Sequence, residues 1–179
     1  SALRRLEADL LRYIEQAAHG RSAFAPREFE LRFGGPDDPL GPAELADGEL
    51  RLQGRIDRID VSADGSEAIV YDYKGKAAPP QARWVEDANL QVGLYLLALP
   101  QLLDLEAVGG LYQPLGRDDD GRPRGLLLDG ADPGLTSVAK DRLSSEEFHA
   151  LLQEVLDAAL QALRGIRSGA LVPDPTSCA

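Results

Sequence analysis

Cysteine is almost missing from this chain: one residue, Cys178, in 179. A lone thiol closes no internal disulfide, which excludes a disulfide-stapled scaffold and points to a reducing, cytoplasmic setting. Methionine is absent and tryptophan occurs once, at Trp84. Basic charge is scarce as well, with 19 Lys and Arg against 30 Asp and Glu, for a formal charge of −11. That balance excludes a broad electrostatic grip on nucleic acid, because such binding neutralises phosphates with cationic side chains. A polyanionic ligand would need a local basic channel, a metal or a partner. The longest apolar run, LYLLAL at 94–99, is far short of the ~20 residues that cross a bilayer. No basic-then-apolar leader opens the chain, so no membrane contact is expected. Phosphate loops of the form G-x-x-x-x-G-K-S/T and dinucleotide turns of the form G-x-G-x-x-G are also missing, leaving no visible ATP or dinucleotide site.

What is present suits one domain over residues 1–179, since 44% of the residues are hydrophobic, enough for a core. Leu3, Leu6, Leu10, Leu11 and Ile14 recur at helical spacing and predict an amphipathic first helix over 3–18. REFELRFGG alternates charged and apolar residues as a half-buried strand does, and the Gly, Pro and Asp-rich stretch 34–48 reads as loop. ELRLQGRIDRIDV and AIVYDYKG read as two strands joined by a turn at Asp64-Gly65. A helix is expected from Trp84 to Leu99, then strands at AVGGLYQPL and LLLDG. Ser144 and Glu147 form a capping box ahead of a last helix with an apolar stripe from Phe148 to Leu163. This order predicts an α/β fold, a mixed sheet with helices packed on it.

The charges inside the strands carry the chemistry. Residues two apart on a strand share a face, so Asp72 and Lys74 project together while Tyr71 and Tyr73 point the other way. Asp57, on the neighbouring strand, reaches the same end of the sheet. Two converging carboxylates make a hard-oxygen site for Mg2+ or Mn2+, and a lysine beside them can offset charge developing on a phosphate. The alternative is a cross-strand ion pair worth at most about 1 kcal/mol.

GRIDRID at 54–60, VYDYKGK at 70–76 and LQVGLY at 90–95, in that order, resemble the PD-(D/E)XK nuclease superfamily. The RecB-like branch, with its AddB-type and Cas4-like nucleases, is the nearest in pattern. The resemblance implies a restriction-endonuclease-like core. It makes Asp57 and Asp72 metal ligands, with the Tyr73 backbone carbonyl beside them, and Lys74 the catalytic lysine. Gln91 and Tyr95, four apart on one helical face, match a Q-x-x-x-Y element that contacts DNA or orders the lysine. Glu30 is similar to an acidic position ahead of the first Asp, or is a solvent-facing strand residue. Arg55, Arg58 and Lys76 either meet phosphates or balance nearby carboxylates.

The implied activity is a Mg2+- or Mn2+-dependent deoxyribonuclease acting on single-stranded or unwinding DNA in double-strand-break repair, beside a helicase subunit or domain. A Cas4-like nuclease and a non-cleaving DNA-binding or scaffold module are the alternatives. Some relatives hold a 4Fe-4S cluster through one upstream Cys and three that follow a stretch like SGALVPDPTSC, which makes Cys178 either the first of those three or an incidental thiol. A cluster needs four thiolates, so it is possible only in a longer parent protein. His19, at an expected helix end, does not match the upstream His of many RecB-like nucleases and is left unassigned; His149 lacks a partner His at metal spacing, and DDDG at 118–121 lacks the glutamate of a calcium loop and reads as a turn.

Overall fold

The computed structural model describes residues 2–19, 22–75, 78–116, 122–134 and 139–170. These residues form a six-stranded mixed sheet. Its strands, from edge to edge, are β1 (Phe24–Phe33), β4 (Gly54–Ser62), β5 (Glu67–Lys74), β6 (Glu106–Pro114), β7 (Arg124–Leu128) and β8 (Arg142–Leu143). A separate antiparallel ribbon pairs β2 (Ala43–Leu45) with β3 (Leu50–Leu52). The helices are α1 (Ala2–His19), α2 (Gln91–Leu103) and α3 (Ser145–Arg167).

The turn between β4 and β5 is built as its residues dictate. Gly65 takes a positive φ of 79°, and the Asp64 carboxylate accepts hydrogen bonds from the Ser62 hydroxyl and from the Ser66 amide and hydroxyl. The register follows, with Val61 opposite Ala68 and Arg58 opposite Tyr71. One step further along that register, Asp57 comes level with Asp72. β5 and β6 then run parallel with Asp72 beside Tyr112, and α2 is the crossover between them. The helix approaches the sheet closely at Gly110, where a Cβ would stand 2.4 Å from Val92 Cγ1 and 2.9 Å from Leu96 Cδ1. Only a residue without a side chain fits there.

Two apolar clusters sandwich the sheet. The larger, between the sheet and α2 and α3, contains Ile56, Ile59, Val70, Trp84, Leu96, Tyr112, Phe148 and Val155. The smaller, on the opposite face, gathers Phe24, Ile69, Tyr71, Val108, Leu111 and Leu127. β4 changes character between Ile56 and Ile59: both face the larger cluster although three residues apart, so the pleat breaks at Asp57 and Arg58.

The structure departs from the sequence reading in four places. The expected helix at 84–99 is displaced: Gln81–Arg83 form a short 3-10 turn, Ala88 has a left-handed φ of 54°, and α2 begins only at Gln91 and continues past Pro100 to Leu103. Part of the expected loop 34–48 is the β2–β3 ribbon, which ends the strand expected from Glu49 at Leu52. The two-residue β8 was not anticipated. α1 is helical as expected, but its apolar stripe faces away from the sheet: Leu3 and Ile14 are 73% and 58% exposed, whereas Asp9 is buried. The last helix matches its reading, with the Ser144 and Glu147 capping box reciprocally formed.

Candidate active site

The C-terminal end of β5 and the kinked middle of β4 set the centre. Asp72 is 5% exposed, on the α2 side of the sheet. Lys74 lies on the same side, its Nζ 2.6 Å from Asp72 Oδ2 and 4.9 Å from the centre of the Tyr112 ring. The Lys74 ammonium thus meets the buried Asp72 Oδ2, and no other hydrogen-bond donor reaches that oxygen among the described residues. Tyr73 points to the opposite face, where its hydroxyl meets that of Tyr13, while its backbone N–H donates to Asp57 Oδ2 at 2.9 Å. Both carboxylates therefore stand at one end of one hairpin, with the lysine against the second.

Burial pushes the Asp72 carboxyl above the ordinary carboxylate range; the Asp57 charge adds to the shift and Lys74 opposes it. Because the folded-state pKa is raised, the stability Asp72 contributes is fully present below its unfolded-state value of about 3.9 and is lost as pH rises through the folded one. In chelator, Asp72→Asn is therefore expected to melt above the native chain at about pH 8, with the gap closing by about pH 4. A gap that stays constant with pH in such melts would contradict this account of Asp72.

The chemistry of this pair fits a hard divalent cation. The buried Asp72 Oδ2 meets a cationic group, the Lys74 ammonium, and the nearby Asp57 charge disfavours its ionised form. No third His, Cys, Asp or Glu joins them in a metal-sized group among the described residues. Mg2+ retains several waters and takes one or two protein carboxylates, so two suffice.

Glu30 is not brought into this pair. Its carboxylate sits 3.0 Å from Arg55 Nε at the surface, on a residue with a left-handed φ of 52°. Of the two roles open to Arg58, the structure displays the balancing of a carboxylate: it lies on the opposite face, giving two hydrogen bonds of 2.6 Å to the buried Asp60 and covering the Tyr71 ring at 4.8 Å. Lys76 and Cys178 lie outside the described residues.

Gln91 and Tyr95 do share a face, and the Gln91 amide donates to the Tyr95 hydroxyl at 3.2 Å. That hydroxyl donates in turn to the Arg55 carbonyl at 3.0 Å. The pair thus braces β4 two residues before Asp57, and the Tyr95 ring is seated in the core edge-on to Phe33. Gly54 makes room for it, since a Cβ there would stand 3.1 Å from the Tyr95 hydroxyl oxygen.

Sequence reasoning did not single out Tyr112. Its fully buried ring underlies Lys74, its edge meets Trp84, and its hydroxyl donates to the Asn89 carbonyl at 3.2 Å. Burial pushes that hydroxyl up to about 12, which keeps it a neutral donor. A tyrosine in an apolar strand reads as core, and only the register with Asp72 reveals its place.

A family model of the PD-(D/E)XK nuclease superfamily matches residues 1–179. The chain belongs to that superfamily. The resemblance carried by GRIDRID, VYDYKGK and LQVGLY is thereby borne out, as is the mixed sheet flanked by helices. Among curated relatives, an ATP-dependent helicase/deoxyribonuclease subunit of Desulforudis audaxviator is 39% identical over 110 residues, which cover 54% of this chain and 9% of that protein. The chain thus matches less than a tenth of its relative's length. Among solved structures, a repair endonuclease from Pyrococcus abyssi aligns over 64% of this chain and 39% of its own, with 19% identity and a TM-score of 0.31. No helix among the described residues is long and apolar enough to cross a membrane.

Proposed function

We propose that this chain is a Mg2+- or Mn2+-dependent deoxyribonuclease domain of the RecB-like branch, hydrolysing phosphodiester bonds in single-stranded or unwinding DNA. The observation that supports it best is the buried Asp72 carboxylate, with Lys74 Nζ 2.6 Å from its Oδ2 and Asp57 level with it on β4. Asp57 and Asp72 would hold the cation together with the Tyr73 carbonyl, and when bound the metal supplies Lewis-acid activation of water and phosphate. Lys74 offers a positive charge to the phosphate oxygens as they gain charge and orients the attacking water. Gln91 and Tyr95 hold β4 in the position that presents Asp57.

The curated relative is named a helicase/deoxyribonuclease subunit, and by likeness to it we assign this domain to a longer cytoplasmic protein that works in DNA repair with a helicase subunit or domain. A second reading, a non-cleaving DNA-binding or scaffold module, is favoured by the charge of −11 and by the engagement of Arg55 and Arg58 with Glu30 and Asp60. One assay separates the two. With single-stranded and duplex DNA in Mg2+ or Mn2+, the native chain is expected to cut, and Asp57→Asn and Asp72→Asn are expected to lose both cleavage and Mn2+ binding. Cleavage that persists in both variants would refute the site; DNA binding without cleavage by the native chain would establish the second reading.

A further inference from the structure

The half of GRIDRID that the carboxylate centre does not use lies on the opposite face of the sheet, where it is joined to α1. Besides its two bonds to Asp60, Arg58 donates from Nη1 to the Tyr13 hydroxyl at 2.9 Å. Tyr13 stands edge-on to Tyr73, with ring centroids 5.7 Å apart and hydroxyl oxygens 3.2 Å apart. Tyr73 is the residue between Asp72 and Lys74, and its amide holds Asp57 Oδ2. A single residue therefore has its side chain fastened to α1 and its peptide fastened to a carboxylate of the centre.

The place where this happens has little other support from β4. Backbone pairing between β4 and β5 ends at Arg58 and Tyr71, so the Tyr73 N–H meets the Asp57 side chain and not a strand carbonyl. α1 makes a second tie close by: Arg12 Nη2 donates to the Gly116 carbonyl at 2.8 Å, and the adjoining Leu115 amide donates to the Lys74 carbonyl at 2.8 Å. The end of β5 that carries the site is thus strapped from behind at two points.

We propose that Tyr13 is a positioning residue for the nuclease centre: its hydroxyl, shared between Arg58 and Tyr73, fixes the Tyr73 peptide and through it the Asp57 carboxylate. This rests on reading Asp57, Asp72 and Lys74 as that centre. Contacts that orient a metal ligand from outside typically change metal affinity or activity by about 10- to 100-fold. Tyr13→Phe keeps the ring and its edge contact but deletes both hydroxyl links, while Tyr73→Phe deletes only the link between the tyrosines.

The test is made on the full chain, by Mn2+ titration without DNA, by kcat and KM for single-stranded DNA, and by amide exchange of Tyr73. Each single variant is expected to weaken Mn2+ binding about 10-fold, to lower kcat with KM little changed, and to speed Tyr73 exchange relative to Val70. The double variant is expected to be no worse than Tyr13→Phe, because the two hydroxyls act in one chain of contacts. Unchanged Mn2+ affinity and unchanged Tyr73 exchange, with only a lower Tm, would overturn the proposal and leave Tyr13 a packing contact. An additive double variant would overturn it too. A native chain that neither binds Mn2+ nor cuts fails the nuclease reading itself, and the proposal with it, a result recognisable before any variant is measured.

Discussion

Lys74→Ala is expected to slow DNA cleavage by about 100- to 1000-fold, the usual consequence of deleting one group aimed at developing charge, while Mn2+ binding holds or tightens. Two features of the site require both halves of this result. Lys74 Nζ stands 2.6 Å from Asp72 Oδ2, so the ammonium occupies the side of the carboxylate that a cation would use. Removing it withdraws a competitor and leaves both carboxylates in place. The lysine is also held against the Tyr112 ring at 4.9 Å, a seat that on the proposed reading would keep the ammonium at the site when a metal takes Asp72. Cleavage rates in saturating Mn2+, set beside calorimetric Mn2+ titration, check both. Wild-type cleavage by Lys74→Ala would reduce Lys74 to an ion-pair partner, and joint loss of cleavage and Mn2+ binding would make its role structural.

Asp60→Ala is expected to be among the most destabilising single substitutions in the chain, costing about 3–5 kcal/mol. The Asp60 side chain is 2% exposed and Arg58 only 14%, joined by two hydrogen bonds of 2.6 Å. Deleting the carboxylate leaves a guanidinium buried between Tyr71 and Tyr13 with no counter-charge. At about 2–4 °C per kcal/mol for a chain of this size, the Tm should fall by roughly 6–20 °C. Replacing both partners with apolar residues, as in Arg58→Met with Asp60→Val, should recover more than half of that loss, since a missing pair costs less than a broken one. Thermal melts of the native chain, Asp60→Ala and the double variant settle the matter, and a double variant as unstable as Asp60→Ala would show that the pair gives more than charge balance.

Much of the centre was legible because strand periodicity and turn chemistry act locally. The i, i+2 spacing of Asp72 and Lys74 puts them on one face, and Asp64-Gly65 sets the register that brings Asp57 level with Asp72. The α3 start was legible for the same reason, its cap being made within four residues. What escaped was decided at longer range. Helical spacing shows that Leu3, Leu6, Leu10 and Ile14 share a face of α1, but it does not say which face meets the sheet; Arg12 and Tyr13 decide that through polar contacts. The α2 boundary moved because the left-handed Ala88 and the Arg83 to Asp87 ion pair complete a turn before the helix begins. Of the charges in GRIDRID, Asp57 meets the β5 backbone beside Asp72, as the strand pairing predicts, whereas Arg58 and Asp60 neutralise each other behind it.

The parallel pairing of β5 with β6 orders the assembly of the site in time. The β4–β5 hairpin closes over a turn of four residues, 63–66, so the two carboxylates can meet while the chain is still short. Tyr95 and Tyr112 arrive only after α2 has crossed over and β6 has docked, a loop closure that local contacts cannot hasten. The acidic pair thus rests on local pairing, whereas the tyrosines that brace β4 and seat Lys74 depend on the long-range crossover. On the proposed reading, cutting power is expected to appear last, with the completed fold.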